Sequence, residues 1–357
     1  MKICMKTKIT LAALLILLQT MLVSQDIHFS QFNMSPLTLN PGLAGVNYNF
    51  EANVNYKDQW RGVAVPYKTF AASVDSRIRK REDRNSFWAG GINVFRDKAG
   101  DANLGLCQAN LTAAYHVGIA QYQTLGIGLQ GGFAQRTIDF SALKWANQYD
   151  PYNGYNPDLP SGEPGTISSF MYGDVGGGLV WAYNNTSGLA NVEDDRTVQA
   201  NLGAAIYHAR QKYSFSKTSK EQLYPKYVFH GNSLFSLPFN DNIALAPGFM
   251  FLFQGPSKEL YFGSMVRYNL QMESKYTGIK KLACLYVGLY CRPGDALTPM
   301  FQIERSGYTF GMSYDVNISK LVAASRARGG LEISLRYAPS DHFKQTYHIP
   351  KRKKQNE

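Results

Sequence analysis

YTFGMSYDV, residues 308–316, places Tyr308, Phe310, Met312, Tyr314 and Val316 on one side of an extended chain and Thr309, Gly311, Ser313 and Asp315 on the other. Successive side chains of a strand point to opposite faces, so one face of this segment is apolar and aromatic while the other is small or polar. LEISLRY at 331–337 repeats the arrangement, with Leu331, Ile333, Leu335 and Tyr337 opposing Glu332, Ser334 and Arg336. In LYFGSMVRYNL at 260–270, Phe262, Val266, Tyr268 and Leu270 oppose Gly263, Arg267 and Asn269. Residues 125–133 and 282–291 keep the pattern with Gly or Cys on the polar side.

A β-sandwich also alternates, burying its apolar faces and leaving charges outside. A membrane barrel is favoured by segments of about 10 residues whose apolar faces end in Tyr, Phe or Trp and whose opposite faces carry charge. Fourteen such segments are read between residues 50 and 338. The even count suits an antiparallel transmembrane barrel. With the N-terminus in the periplasm, the long connections 139–170, 210–223 and 317–328 fall on the outer side, and the tight turns at 238–241 and 306–307 fall on the inner side. Between Leu106 and His116 the alternation reads less cleanly.

The chain begins with a leader: Lys2, Lys6 and Lys8 precede an apolar run from Ile9 to Leu18, and Val23 and Ser24 supply small residues before Gln25. Residues 1–24 are therefore expected to be a cleaved signal peptide, residues 25–48 an N-terminal periplasmic or lumenal segment, 49–338 the barrel and 339–357 a basic tail. No stretch approaches the about 20 apolar residues of a transmembrane helix. Cys4 lies in the leader, which leaves Cys107, Cys284 and Cys291. Cys284 and Cys291 sit seven residues apart on one strand, roughly 23 Å at about 3.3 Å per residue, too far to bridge. All three are expected to be small apolar fillers.

Motifs that would carry chemistry fail on context. GIGLQG at 126–131 matches a dinucleotide fingerprint through Gly126, Gly128 and Gly131, but it lies inside a strand, where no helix N-terminus can meet a pyrophosphate. Glycines facing a crowded lumen explain it better. The six histidines are scattered without metal-ligand spacing, and no serine occupies a nucleophile elbow. Neither catalytic, cofactor-binding nor metal-ligating residues are assigned, and the protein is not expected to be an enzyme.

The formal charge is +11; removing the three leader lysines from 37 basic residues leaves 34 against 26 acidic ones. The basic clusters RIRKREDR (77–84) and KRKK (351–354) fall on the inner side and read as a solvated turn and a tail, so no nucleic acid is expected as a partner. Arg267, Glu304, Asp315, Glu332 and Arg336 are candidate lumen charges, expected to pair with one another across a lumen that side chains largely fill.

One stretch obeys no strand pattern. DIHFSQFNMSPLTLNPGLAG (26–45) is rich in Asn, Pro and Ser, and Pro36, Pro41 and Gly42 limit regular structure. Together with YKDQWRGV (56–63) and the closing FGMSYDVNIS and GGLEISLRY, it resembles the PorP/SprF family of Bacteroidetes outer-membrane proteins. Phe29, Ser30, Gln31, Phe32, Pro36, Asn40, Pro41, Ala44 and Gly45 keep the family's spacing. The resemblance implies a barrel component of the type IX secretion and gliding machinery, with secretion components and a secreted cargo such as a large adhesin as partners, embedded in outer-membrane lipid. Phe29, Gln31, Phe32, Pro36, Leu37, Leu39, Asn40 and Pro41 are candidate plug or partner-docking residues, expected to brace the lumen from the periplasmic side. Trp145, Tyr149, Tyr152 and Tyr155, in the long outer loop, are candidates for touching the cargo. A solute channel gated by the N-terminal segment is the alternative.

Overall fold

The computed structural model describes residues 26–62, 65–80, 86–150, 152, 154–162, 168–185, 198–209, 212–213, 221–271, 282–320 and 322–339. The expected leader and the tail beyond Pro339 lie outside the described residues. Fourteen strands form one closed barrel: β1 (Phe50–Gln59), β2 (Tyr67–Lys80), β3 (Ser86–Ala99), β4 (Leu104–Ala120), β5 (Gln123–Thr137), β6 (Ser169–Asn184), β7 (Val198–Tyr207), β8 (Lys226–Leu237), β9 (Asn240–Gln254), β10 (Ser257–Gln271), β11 (Ala283–Arg292), β12 (Ala296–Arg305), β13 (Tyr308–Asn317) and β14 (Arg328–Tyr337). Every strand is antiparallel to its sequence neighbour, and β1 closes onto β14 with Ala52 opposite Tyr337 and Gln59 opposite Gly330. Closure leaves no unpaired strand edge.

The alternating faces sort as the sequence predicts. Phe310, Met312 and Tyr314 of β13 point out, while Thr309, Ser313 and Asp315 are buried inside. The alternation holds through β4 as well. Its inward Gln108, Asn110, Thr112, Ala114 and His116 are all buried, and Leu111 and Val117 face outward. Small residues among the large ones obscured that pattern. Aromatic pairs mark both ends of the outer face: Trp60 and Tyr67 at one (ring centroids 4.8 Å apart), Trp88 with Tyr115 (4.8 Å) and Tyr308 with Tyr337 (4.6 Å) at the other. The end where β1 finishes carries the connections 60–66, 138–168, 208–225 and 318–327 and is called the far end; β1 begins at the near end.

Three details depart from expectation. Cys107 is exposed on the outer face, and Cys284, though buried, takes part in polar contacts: Arg267 Nε donates to its Sγ at 3.3 Å and the Sγ lies 3.3 Å from Asn269 Oδ1. A buried thiol beside a guanidinium is an acceptor, not a mere filler. Of the GIGLQG glycines, Gly131 is exposed and faces outward, so only Gly126 and Gly128 face the lumen. Arg77, read as part of a solvated turn, reaches inward: its Nε donates to Gly45 O at 2.6 Å, its NH2 donates to Val46 O at 3.1 Å, and its guanidinium lies 4.0 Å from the Phe87 ring centroid.

Candidate functional site

Residues 26–46 occupy the barrel interior along its whole length. Asp26 bonds to His208, just beyond the far end of β7, and its backbone N–H donates to Gln254 Oε1 at the far end of β9 (2.9 Å). Gly45 lies near the other end, where its N–H donates to Asp75 Oδ2 of β2 (2.7 Å). The segment therefore does not brace the lumen from one end alone, as expected for the periplasmic side; it starts at the end bearing the long loops and descends to the near end.

Phe29 packs with Ala71 and Phe95 of β2 and β3. Ser30 and Gln31 donate their backbone N–H groups to the two carboxylate oxygens of Glu332, at 2.8 and 2.7 Å, and Ser30 Oγ donates to Asp315 at 3.0 Å. Two backbone donors on one carboxylate form a charge-assisted clamp. Lys57 Nζ completes it, donating to His28 O at 3.0 Å and lying 3.8 Å from Glu332 and 4.0 Å from Asp315. Phe32 inserts between Tyr261 and Tyr290, edge-on to both, with centroids 6.2 and 6.0 Å away. A 3-10 turn at Phe32–Met34, a single α-turn at Pro36–Leu39 that opens on Pro36, and a 3-10 turn at Pro41–Leu43 carry the chain onward. Proline's fixed φ and missing N–H suit the first position of a helical turn.

Asn40 joins the last two turns. Its Oδ1 accepts from Gly42 N at 2.8 Å, and its Nδ2 donates to Leu179 O at 2.9 Å and lies 3.0 Å from His230 Nε2. The wall behind it is glycine because the backbones nearly touch: a Cβ on Gly128 would overlap the Pro41–Gly42 peptide, and one on Gly91 would come within 2.7 Å of Leu37 Cδ1. His116 meets Ala44 O at 2.8 Å and stacks on Phe87. Phe29, Gln31, Phe32, Pro36, Leu37, Leu39, Asn40 and Pro41 are all buried in this way. Beside them, a cavity bordered by His28, Phe32, Thr38 and Met250 holds only about 20 Å³, room for about one water.

The candidate lumen charges do not pair with one another. Asp315 and Glu332 share Lys57, and Asp315 also lies 3.6 Å from Arg292 NH1, which with Arg292 Nε contacts Asp295 and Glu259. The other three sit nearer the opposite end. Arg336 donates to Thr309 Oγ1 at 3.1 Å and lies over the Tyr48 ring, Glu304 accepts from Tyr286 OH at 2.9 Å, and Arg267 meets Cys284. Polar neighbours close by on the wall satisfy these three instead. Lys57, Arg77, Asp26, His116, His208 and His230 were missed by sequence reasoning. Lys57 alone carried a signal, a lysine at an inward position of an alternating strand.

At the far end, the described residues of the 138–168 loop make local contacts of their own. Trp145 N–H donates to Gln148 Oε1 at 3.2 Å, Gln148 Nε2 donates to Leu159 O at 3.0 Å, and Tyr149–Asp150 pairs with Gly154–Tyr155 as a small hairpin. Tyr149 and Tyr155 lie 5.5 Å apart, Lys144 sits over Tyr155 at 5.0 Å, and Tyr152 at the hairpin tip is 95% exposed. Trp145, Tyr149, Tyr152 and Tyr155 are thus gathered in one small folded unit.

Residues 22–337 match the model of the family described as type IX secretion system membrane protein PorP/SprF. Curated proteins give no match. Among solved structures, the Ralstonia pickettii toluene transporter TbuX is similar over 85% of this chain and 93% of its own, at 13% identity and a TM-score of 0.42. A Pseudomonas aeruginosa FadL homologue is similar over 84% and 92%, at 12% identity and a TM-score of 0.41. CdiB from Acinetobacter baumannii aligns over 81% of this chain, which spans 60% of CdiB, at 8% identity and a TM-score of 0.39.

Proposed function

The chain belongs to the PorP/SprF family of type IX secretion system membrane proteins, and we propose that it is a non-enzymatic outer-membrane component that assists export or surface anchoring of a particular secreted partner, such as a large adhesin. The observation that carries this reading is the filled lumen. From Asp26 to Val46 the segment runs the length of the barrel, its polar groups bonded to strand side chains and backbone and its apolar ones packed among them. A barrel occupied in this way has its rims and loops left for work, not its interior.

In this reading the chain reaches the outer membrane through a cleaved leader, and the far end faces the cell exterior. The Tyr-rich hairpin unit at 145–162 then presents Tyr149 and Tyr152 to the cargo; exposed tyrosines supply large contact area at low conformational cost. Other type IX components are the partners at the near end. The test compares surface and culture-fluid proteins of a strain lacking the gene with those of its parent. Loss of one or a few large secreted proteins, with other type IX cargo intact, is the expected result. An unchanged secretome, together with a stable open pore in planar bilayers, would favour a solute channel gated by the N-terminal segment.

A further inference from the structure

Lys68 of β2 and Lys98 of β3 are direct cross-strand partners, and two residues along on the same face Phe70 stands opposite Arg96. All four side chains are exposed on the outer surface of the barrel. Like charges directly opposite each other on a sheet repel. Among the described residues none of the three cations has a carboxylate within 4.0 Å. The acid between them, Asp97, faces the other way and accepts from Thr69 Oγ1 at 2.6 Å. Asp139, which borders the same region, is engaged by Ser141 N at 3.0 Å and Ser141 Oγ at 2.6 Å. Three adjacent cations are therefore left without a counter-charge.

Their height on the barrel is informative. On the outer face of β2 the exposed apolar residues run from Ile78 through Val74 to Phe70, and Lys68 is the next outward position. On β3, Ile92 and Val94 are followed by Arg96 and Lys98. Ile78 to Phe70 spans roughly 26 Å of strand at about 3.3 Å per residue, or about 20 Å of depth at a tilt of about 40°, and Lys68 falls where the about 25 Å band of a transmembrane barrel is used up. The cations stand where that band ends and headgroups begin. Beside Arg96 and Lys98 opens a concavity of about 560 Å³, to which Asn103, Gln135 and Thr137 add polar groups. Phe133, exposed on β5, continues the apolar surface beneath it.

We propose that this rim seats the phosphorylated sugar headgroup of a lipid A-class glycolipid, with its acyl chains lying along Phe70, Val94 and Phe133. The choice of a lipid over a free anion follows from continuity between the basic rim and the apolar band. The choice of the outer leaflet rests on the orientation given under Proposed function.

The test uses the full mature chain in mild non-ionic detergent, titrated separately with diphosphoryl lipid A, phosphatidylglycerol and inorganic phosphate, and read by native mass spectrometry. Each basic residue beside an anionic surface contributes about 1 kcal/mol, so the triple variant K68Q/R96Q/K98Q lowers lipid A retention on the order of a hundredfold. The charge-preserving K68R/K98R variant and K258Q, at another exposed far-end position, keep it. The single Arg96→Gln variant loses retention by about fivefold and guards against misfolding of the triple variant. Equal retention by wild type and the triple variant overturns the proposal. Saturation by inorganic phosphate overturns the lipid assignment. Preference for phosphatidylglycerol over lipid A overturns the leaflet assignment, while failure of the chain to fractionate with outer membranes would count against the location itself.

Discussion

Lys57 and Glu332, 275 positions apart in sequence, meet in the barrel interior with Nζ 3.8 Å from the carboxylate, at 2% and 1% residue exposure. The same carboxylate holds the backbone of Ser30 and Gln31. Breaking a buried pair from one side leaves an uncompensated charge, at a cost of about 3–5 kcal/mol. Lys57→Met is therefore expected to destabilise the barrel by that amount and to free the first residues of the lumen segment. Thermal unfolding of the purified protein checks the first effect, and limited proteolysis near residues 26–31 checks the second. A variant as stable and as protected as wild type would show that the segment is held elsewhere.

Phe32→Ala removes a ring wedged between Tyr261 and Tyr290 and leaves a void in a closed interior. Truncation of a buried Phe costs about 3–5 kcal/mol. Phe32→Leu, which fills most of the space, is expected to lose less than half of that. Unfolding midpoints in detergent distinguish the two. Equal losses would point to an aromatic requirement instead of a packing one.

The barrel was legible because its signal is local. Period-two alternation in YTFGMSYDV or LEISLRY depends only on neighbouring residues, and the inner and outer faces follow from it. The occupation of the lumen is not local: Ser30 finds Glu332 across 302 residues of sequence. The opening stretch could be recognised as non-strand from Pro36, Pro41 and Gly42, and its buried positions could be listed. Its direction through the barrel could not, since nothing near Asp26 in sequence announces His208 or Gln254 as partners. The charges misled for a related reason. Facing inward is readable from parity, but choosing Lys57 over Arg336 as the partner of Glu332 needs the register of β1 on β14, where Lys57 stands opposite Glu332.

Gly128→Val tests whether the segment seals the barrel. A side chain at 128 would occupy the space of the Pro41–Gly42 peptide, and backbone cannot step aside as a flexible side chain does. The strands are expected to form, because a β-branched residue suits an inward strand position, while the lower part of the segment is displaced. Wild type should be nearly silent in planar bilayers, and the variant should conduct. A silent variant with an intact barrel would mean that some other element closes the lumen.

The far-end latch predicts a pH response. His208 lies between Asp26 and Asp174, with Nδ1 2.9 Å from Asp174 Oδ2. Burial alone would push the imidazole pKa down; the two carboxylates outweigh it and raise it to about 9. Because the bound form has the raised value, the latch contributes fully below about pH 6.5, the ordinary histidine value, and is lost as pH climbs through about 9. Asp26, despite its own burial, is held below the usual carboxylate range, chiefly by His208, so mild acid does not release it. Amide hydrogen exchange over residues 26–29 is therefore expected to be slow from pH 5 to 7 and, after correction for intrinsic rates, to accelerate on the order of a hundredfold by pH 10. In the Asp26→Asn variant exchange should be fast already at pH 7, with little further change. A wild-type profile that stays flat across that range would mean that Gln254 and Lys226, whose Nζ donates to Ile27 O at 3.2 Å, and not the histidine, secure the end of the segment.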